Sequence, residues 1–203
     1  MEVKILIGKQ AKILSDKQQN LTMAHLETTR YPLRNKIIFL LSFKEGLRAK
    51  EISKLAWSMV CNSDGKIADV INLSNNASKG KYSGRIIPMH KELKILLGKL
   101  LAEKQKDEYF SLDKPVIATE RGEHTTPQVI VNFFYHLYKT IGFNGCSSHS
   151  GRRTFITNAA KHISLVGGTL NDVRLLAGHS SLATTQRYIA YDTEAQRKIV
   201  EMS

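Results

Sequence analysis

Apolar and polar positions alternate along the chain with two different periods. Residues 1–20 are polar and irregular, with Lys9, Lys12, Lys17 and the run Gln18-Gln19-Asn20, and read as an arm or the remnant of a linker. From Leu21 the pattern turns helical. Leu33, Ile37, Ile38, Leu40, Leu41 and Phe43 form a mostly apolar stretch that Gly46 ends, and a short helix fits residues 49–55 with Ile52 and Leu55 on one face. The period then changes. Residues 57–61, 67–73 and 85–89 predict three short strands, the first turn being Asn62-Ser63-Asp64-Gly65 and the second a polar, glycine-bearing connection over residues 74–84. Helical spacing returns over residues 90–104, where Leu93, Leu96, Leu97, Leu100 and Leu101 make the buried stripe. Residues 114–118 are a short extended piece. Thr126 as N-cap and Pro127 at the first helical position start a helix that runs to about Ile141. Further helices fit residues 150–162, 171–177, 182–189 and 193–200. The layout predicts a mainly α fold with a small three-stranded antiparallel sheet, in one compact domain over residues 21–203.

Composition narrows the partners more than the fold. The 203 residues are 42% hydrophobic and 24% charged, an ordinary globular balance. Lys and Arg number 30 against 18 Asp and Glu, a formal charge of +12, with a pI near 9.7. That excess suits a polyanion, most often nucleic acid. No apolar run reaches the roughly 18–20 residues that cross a bilayer, and no basic amphipathic helix with a large apolar face stands out, so no membrane partner is expected. The start of the chain lacks the features of a secretory signal. Cys61 and Cys146 are far apart with no CxxC, so neither a disulfide framework nor a thiolate zinc site is expected, and the compartment reads as reducing cytoplasm.

Four clusters carry chemistry. In Gly46-Leu47-Arg48-Ala49-Lys50-Glu51 an arginine stands at a helix–turn–helix junction, three residues before an acid. In His149-Ser150-Gly151-Arg152 a histidine and an arginine three apart share one face at a helix start, where the backbone adds partial positive charge. Gly178-His179-Ser180-Ser181 puts a histidine between two helices, with Tyr188 nine residues beyond His179. Ser78-Lys79-Gly80-Lys81 sits in the hairpin connection. Each is ordinary alone: a capped helix end, a solvated lysine, a structural histidine. Together they form a cationic or neutral set with no paired carboxylates and no acid-rich metal cage. Such a set suits a phosphodiester without a metal or other cofactor. Arginines grip non-bridging oxygens through paired N–H donors and stabilise charge building on phosphorus. A tyrosine oxygen can attack, a histidine can help take its proton, and a lysine can protonate the departing oxygen.

These segments resemble the tyrosine recombinase (phage integrase) family. The matching pieces are GLRAKEISKL with Arg48, SKGKYSGRIIPM with Lys79, HSGRRTF with His149 and Arg152, and GHSSLATTQRYIAY with His179 and Tyr188. Their order and spacing match from about Leu33 to Tyr191. The resemblance implies a recombinase catalytic domain and site-specific breakage and rejoining of DNA through a 3′-phosphotyrosine, with neither metal nor ATP. It implies that Arg48 and Arg152 clamp the scissile phosphate, that His149 assists proton transfer from the nucleophile, and that His179 hydrogen-bonds a non-bridging oxygen. It makes Lys79 the general acid toward the 5′-oxygen, Tyr188 the nucleophile and Glu51 a structural support.

Lys81 rivals Lys79, which directly follows Ser78 as the family pattern has it; Tyr191 rivals Tyr188, which alone has the nine-residue offset. Gly151 replaces a leucine common inside the His-x-x-Arg box, which predicts looser local packing. Most family members carry a separate helical core-binding domain before this region; a chain separated from that domain and a short single-domain member both fit. The resemblance also implies double-stranded DNA as partner, a tetramer assembled on DNA, and a cytoplasmic, nucleoid-associated setting. It raises the expectation that residues 193–203 dock on a neighbouring protomer or on their own domain. Two other activities fit the same residues: supercoil relaxation of the type IB topoisomerase kind, and regulatory DNA binding with weak catalysis.

Overall fold

The computed structural model describes residues 11–77, 84–119, 122, 124–188, 200 and 201. The hairpin lysines Lys79 and Lys81, the rival Tyr191 and the terminal helix expected over residues 193–200 lie outside this set, save for the last of those residues. The chain divides into two compact units, residues 1–155 and 156–203.

The first unit is built around a helix that is apolar on nearly every side. It holds α1 (Asp16–Glu27), α2 (Pro32–Phe43), α3 (Ala49–Ser53), β1 (Val70–Leu73), β2 (Arg85–Pro88), α4 (Lys91–Lys104), α5 (Pro127–Thr140) and the first turns of α6 (Ser150–His162). In α2, Ile37, Ile38, Phe39, Leu40, Leu41 and Phe43 are all buried. A helix with no polar face has to be covered all round, and α1, α3 and α4 pack against it. The α4 stripe of Leu93, Leu97, Leu100 and Leu101 supplies one wall. Ile130, Phe134, Leu137 and Tyr138 line the inner face of α5, which packs on α3. As the sequence indicates, Thr126 caps α5 by accepting the Val129 N–H, and Pro127 opens it.

Two expectations need correction. The arm is not irregular throughout: α1 starts at Asp16, because Ser15 and Gln18 form a reciprocal capping box. Ahead of it, Leu14 is buried with its N–H on Thr154 Oγ1 (2.8 Å), and Arg153 Nη1 donates to the Ala11 carbonyl (3.0 Å).

Among the described residues the sheet has two strands, not three. They run antiparallel, with Ile71 opposite Ile87 and Leu73 opposite Arg85. Residues 57–61 do not extend. The N–H groups of Trp57 and Ser58 go to the carbonyls of Lys114 (3.0 Å) and Leu112 (2.7 Å), and Trp57–Met59 winds into a 3₁₀ turn. A single bridge, Cys61 to Ile67, is what remains of the third strand.

The second unit contains the rest of α6, a 3₁₀ turn at Ile163–Val166, α7 (Leu170–Ala177) and α8 (Leu182–Gln186). Its core is small: Ile156, Val173 and Ala177 are its buried apolar side chains among the described residues, with the polar Thr157, His179 and Thr185 buried beside them. Gly178 ends α7 at φ +61°, a left-handed conformation that costs glycine little, and α8 follows after a three-residue turn.

Candidate active site

In the first unit, two arginines far apart in sequence meet on one turn. The segment that leaves α2 bends at Gly46 (φ +64°), where an added Cβ would lie 2.4 Å from the Phe155 ring. Arg152, on the first turn of α6 and only 4% exposed, donates from Nη1 to the Gly46 carbonyl at 2.5 Å. Two residues on, Arg48 caps α3. Its N–H donates to Glu51 Oε2 (2.7 Å) and its Nη1 to Glu51 Oε1 (2.9 Å), so Glu51 holds both the backbone and the guanidinium of Arg48.

Glu51 also has a partner that sequence reasoning missed. Arg85 donates from Nη1 to Oε1 (2.8 Å) and from Nη2 to Oε2 (3.2 Å), a paired contact with both carboxylate oxygens. Burial alone pushes the Glu51 carboxyl up; Arg85 and Arg48 outweigh it and hold the group below the usual carboxylate range. A signal for Arg85 existed. It shares a strand face with the buried Ile87, and a charged residue on the inner face of a strand calls for a partner. Arg85 is also the first residue of β2 and follows Lys79 by six positions in sequence.

Glu45, next to Gly46, is a second buried acid. Its Oε1 accepts the His90 N–H (2.8 Å), tying the turn to the start of α4. Burial raises its carboxyl to about 7, against the pull of that hydrogen bond.

His149 precedes α6, is exposed, and its carbonyl accepts the Arg153 N–H (2.9 Å). Gly151 does not loosen the packing. An added Cβ would lie 2.5 Å from Ser42 Oγ, so the missing side chain is what lets α6 approach α2 this closely.

In the second unit, His179 and Tyr188 come together. Their rings stack at 5.4 Å between centroids, inclined by 24°. The His179 backbone is held on both sides by Arg174: the His179 N–H donates to the Arg174 carbonyl (3.0 Å), and Arg174 Nη1 donates to the His179 carbonyl (3.2 Å). Its Nδ1 lies 2.9 Å from Thr185 Oγ1. The Tyr188 carbonyl accepts from Thr157 Oγ1 (3.2 Å). The nine-residue offset between His179 and Tyr188 thus corresponds to one cap, one short helix and a turn.

No group of three or more His, Cys, Asp or Glu side chains that could hold a metal occurs among the described residues. No helix among them is long and apolar enough to cross a membrane. A cavity of about 400 Å³ lies elsewhere in the first unit, bordered by Arg30, Tyr31, Arg34, Leu100 and Lys104. None of the predicted site residues lines it.

Comparison with known proteins places the fold. The chain is 28% identical over 181 residues to tyrosine recombinase XerC of Rickettsia bellii, which spans 87% of this chain and 55% of that protein. It is 28% identical over 173 residues to tyrosine recombinase XerA of Pyrococcus horikoshii, at 83% and 54% coverage. The chain therefore spans about half the length of these curated relatives. Its fold matches a crystal structure of XerA recombinase with TM-score 0.70 and 22% identity, covering 94% of this chain and 62% of the other. It also matches the Tn1549 transposon integrase in complex with a circular intermediate DNA, with TM-score 0.72 and 17% identity over 96% and 66% of the two chains. The fold is thus that of tyrosine recombinase catalytic domains. Residues 12–195 match the phage integrase family, and the chain belongs to that family.

Proposed function

We propose that this chain is the catalytic part of a site-specific DNA recombinase, which breaks and rejoins strands by transesterification through a 3′-phosphotyrosine. Its catalytic region is residues 21–203. The observation that carries the proposal is the meeting of Arg152 with the Gly46–Arg48 turn, across 106 residues of sequence, with Glu51 fixing the Arg48 guanidinium. Two anchored guanidiniums on one turn match the non-bridging oxygens of a phosphodiester.

In this reading Arg48 and Arg152 hold those oxygens and offset the charge that builds as phosphorus becomes five-coordinate. His179 donates a hydrogen bond to one of them. The Tyr188 hydroxyl oxygen attacks phosphorus while His149 accepts its proton. The bond from phosphorus to the 5′-oxygen breaks, and Lys79 supplies the proton that leaves a 5′-hydroxyl. One phosphoester replaces another, so the link retains the bond energy and ATP is not needed. The cationic set meets the phosphate charge without a divalent metal. The partner is double-stranded DNA, drawn by the +12 charge, and the working assembly is a tetramer on DNA in the nucleoid. Several structural relatives were solved with DNA, among them the Tn1549 transposon integrase and XerH on its difH substrate.

The test is incubation with nicked duplex DNA in excess EDTA, followed by denaturing electrophoresis. A covalent protein–DNA band that protease removes supports the proposal. Absence of any such band on all cognate and relative-derived sites overturns it. Supercoil relaxation by dilute protein without site preference would instead favour the topoisomerase activity.

A further inference from the structure

We infer that Thr185 is a positioning residue that holds the His179 imidazole in the tautomer with its proton on Nε2. The inference deepens the reading above, in which His179 donates a hydrogen bond to a phosphate oxygen.

Thr185 has one hydroxyl proton to place. Thr185 lies in α8 and is fully buried, and its hydroxyl has a single hydrogen-bond partner among the described residues, His179 Nδ1 at 2.9 Å. A helical threonine usually has another choice, the carbonyl four residues earlier. Thr22 takes it, donating to Gln18 O at 2.7 Å, and so does Thr154, donating to Ser150 O at 2.8 Å. Thr185 makes no such bond to Ser181. Among the described residues its proton therefore has one acceptor in reach, a bare Nδ1.

The opposite tautomer puts the ring proton on Nδ1 and makes Thr185 the acceptor. The threonine proton is then buried with no acceptor, and an unpaired buried donor carries its full desolvation penalty. An unused oxygen lone pair on Thr185 is the cheaper deficit. The ring proton is thereby left on Nε2, which makes that nitrogen a donor.

The surroundings hold the ring in place beside Thr185. Arg174 fixes the His179 backbone from both sides, and the Tyr188 ring stacks on the imidazole. Thr185 thus sets what His179 offers: a hydrogen bond given to an anionic oxygen, not a lone pair for the Tyr188 proton. This separates the two histidines by role, leaving proton acceptance to His149.

The experiment uses the full chain with ¹⁵N-labelled histidine and no DNA. Correlation spectra from the carbon-bound ring protons show which nitrogen of each imidazole is protonated, and His179→Gln assigns the signal. The expected result for the wild type is His179 protonated at Nε2, with Thr185→Ser keeping that pattern and Thr185→Val giving a mixture of tautomers. Adduct formation on nicked DNA should fall about tenfold or more in Thr185→Val, the loss of one hydrogen bond's worth of positioning, and recover in Thr185→Ser. Wild-type His179 protonated at Nδ1, or a Thr185→Val spectrum unchanged from wild type, overturns the inference. The wild-type spectrum alone decides the tautomer if Thr185→Val does not fold. A correct tautomer in a protein that never forms a DNA adduct would instead count against the proposed function.

Discussion

Arg85 and Glu51, 34 positions apart, meet fork to fork: Nη1 lies 2.8 Å from Oε1 and Nη2 3.2 Å from Oε2. The same two oxygens receive the side chain and backbone of Arg48. The carboxylate is thus a shared brace between the strand leaving the hairpin and the arginine proposed to hold phosphate.

Removing one member of a buried pair leaves a charge with too few partners, which costs about 3–5 kcal/mol. Arg85→Ala is expected to lose stability in that range in urea unfolding. Arg85→Lys should recover only part of it, since an ammonium cannot make the paired contact. A loss in Arg85→Ala below about 1 kcal/mol, the range of exposed ion pairs, would contradict the bracing role.

Gly46 and Gly151 are places where any side chain collides. Gly46→Ala has to sustain φ +64° and displace the Phe155 ring, at about 1–3 kcal/mol. It also moves the carbonyl that Arg152 grips, so DNA cleavage should drop more than the lost stability explains. Gly151→Leu has to separate α6 from Ser42, at about 1–3 kcal/mol or more. Thermal unfolding checks both. An unchanged midpoint in Gly151→Leu would show that α6 is free to back away from α2.

Glu45 makes the first unit weaker as pH rises. Its carboxyl is raised from 4.5 to about 7 in the folded protein. Between those values the folded state binds more protons than the unfolded state, so stability falls through this window and levels off above it. Glu51 acts in the opposite sense: its lowered carboxyl supports folding above its unfolded value, and that support is lost in acid. The difference between Glu45→Gln and the wild type cancels the contribution of His90, itself lowered mainly by burial. The variant keeps an acceptor for the His90 N–H and should be more stable at pH 8 by on the order of 3 kcal/mol, with the difference gone near pH 4.5. Urea midpoints across that range measure it. A difference constant with pH would contradict the assignment.

Helices were legible because their apolar spacing is long and regular: α2, α4, α5 and α6 stand within a residue or two of where the pattern puts them. The third strand was misread because Trp57 and Val60 favour a strand, whereas the N–H groups of Trp57 and Ser58 are taken by residues 114 and 112 and those of Met59, Val60 and Cys61 close a local turn. No local pattern reports a partner fifty residues away. The start of α1 was missed because its signal is a cap, Ser15 with Gln18, and not an apolar stripe. For the site, His179 and Tyr188 lie close in sequence, and the short α8 between them stacks their rings. Arg48 and Arg152 were recognisable through motif and charge, but their link through the Gly46 carbonyl depends on tertiary packing. Arg85 escaped because one charge on a four-residue strand looks like an edge residue until its face is known.

The central claim is that Tyr188 is the group that becomes joined to DNA. Wild-type protein and Tyr188→Phe, mixed with the same nicked duplex and compared for covalent adduct and for non-covalent binding, test it most directly. Covalent attachment by the wild type, and its complete loss in Tyr188→Phe with binding retained, is the expected result. An adduct formed by Tyr188→Phe would contradict it and assign the nucleophile elsewhere.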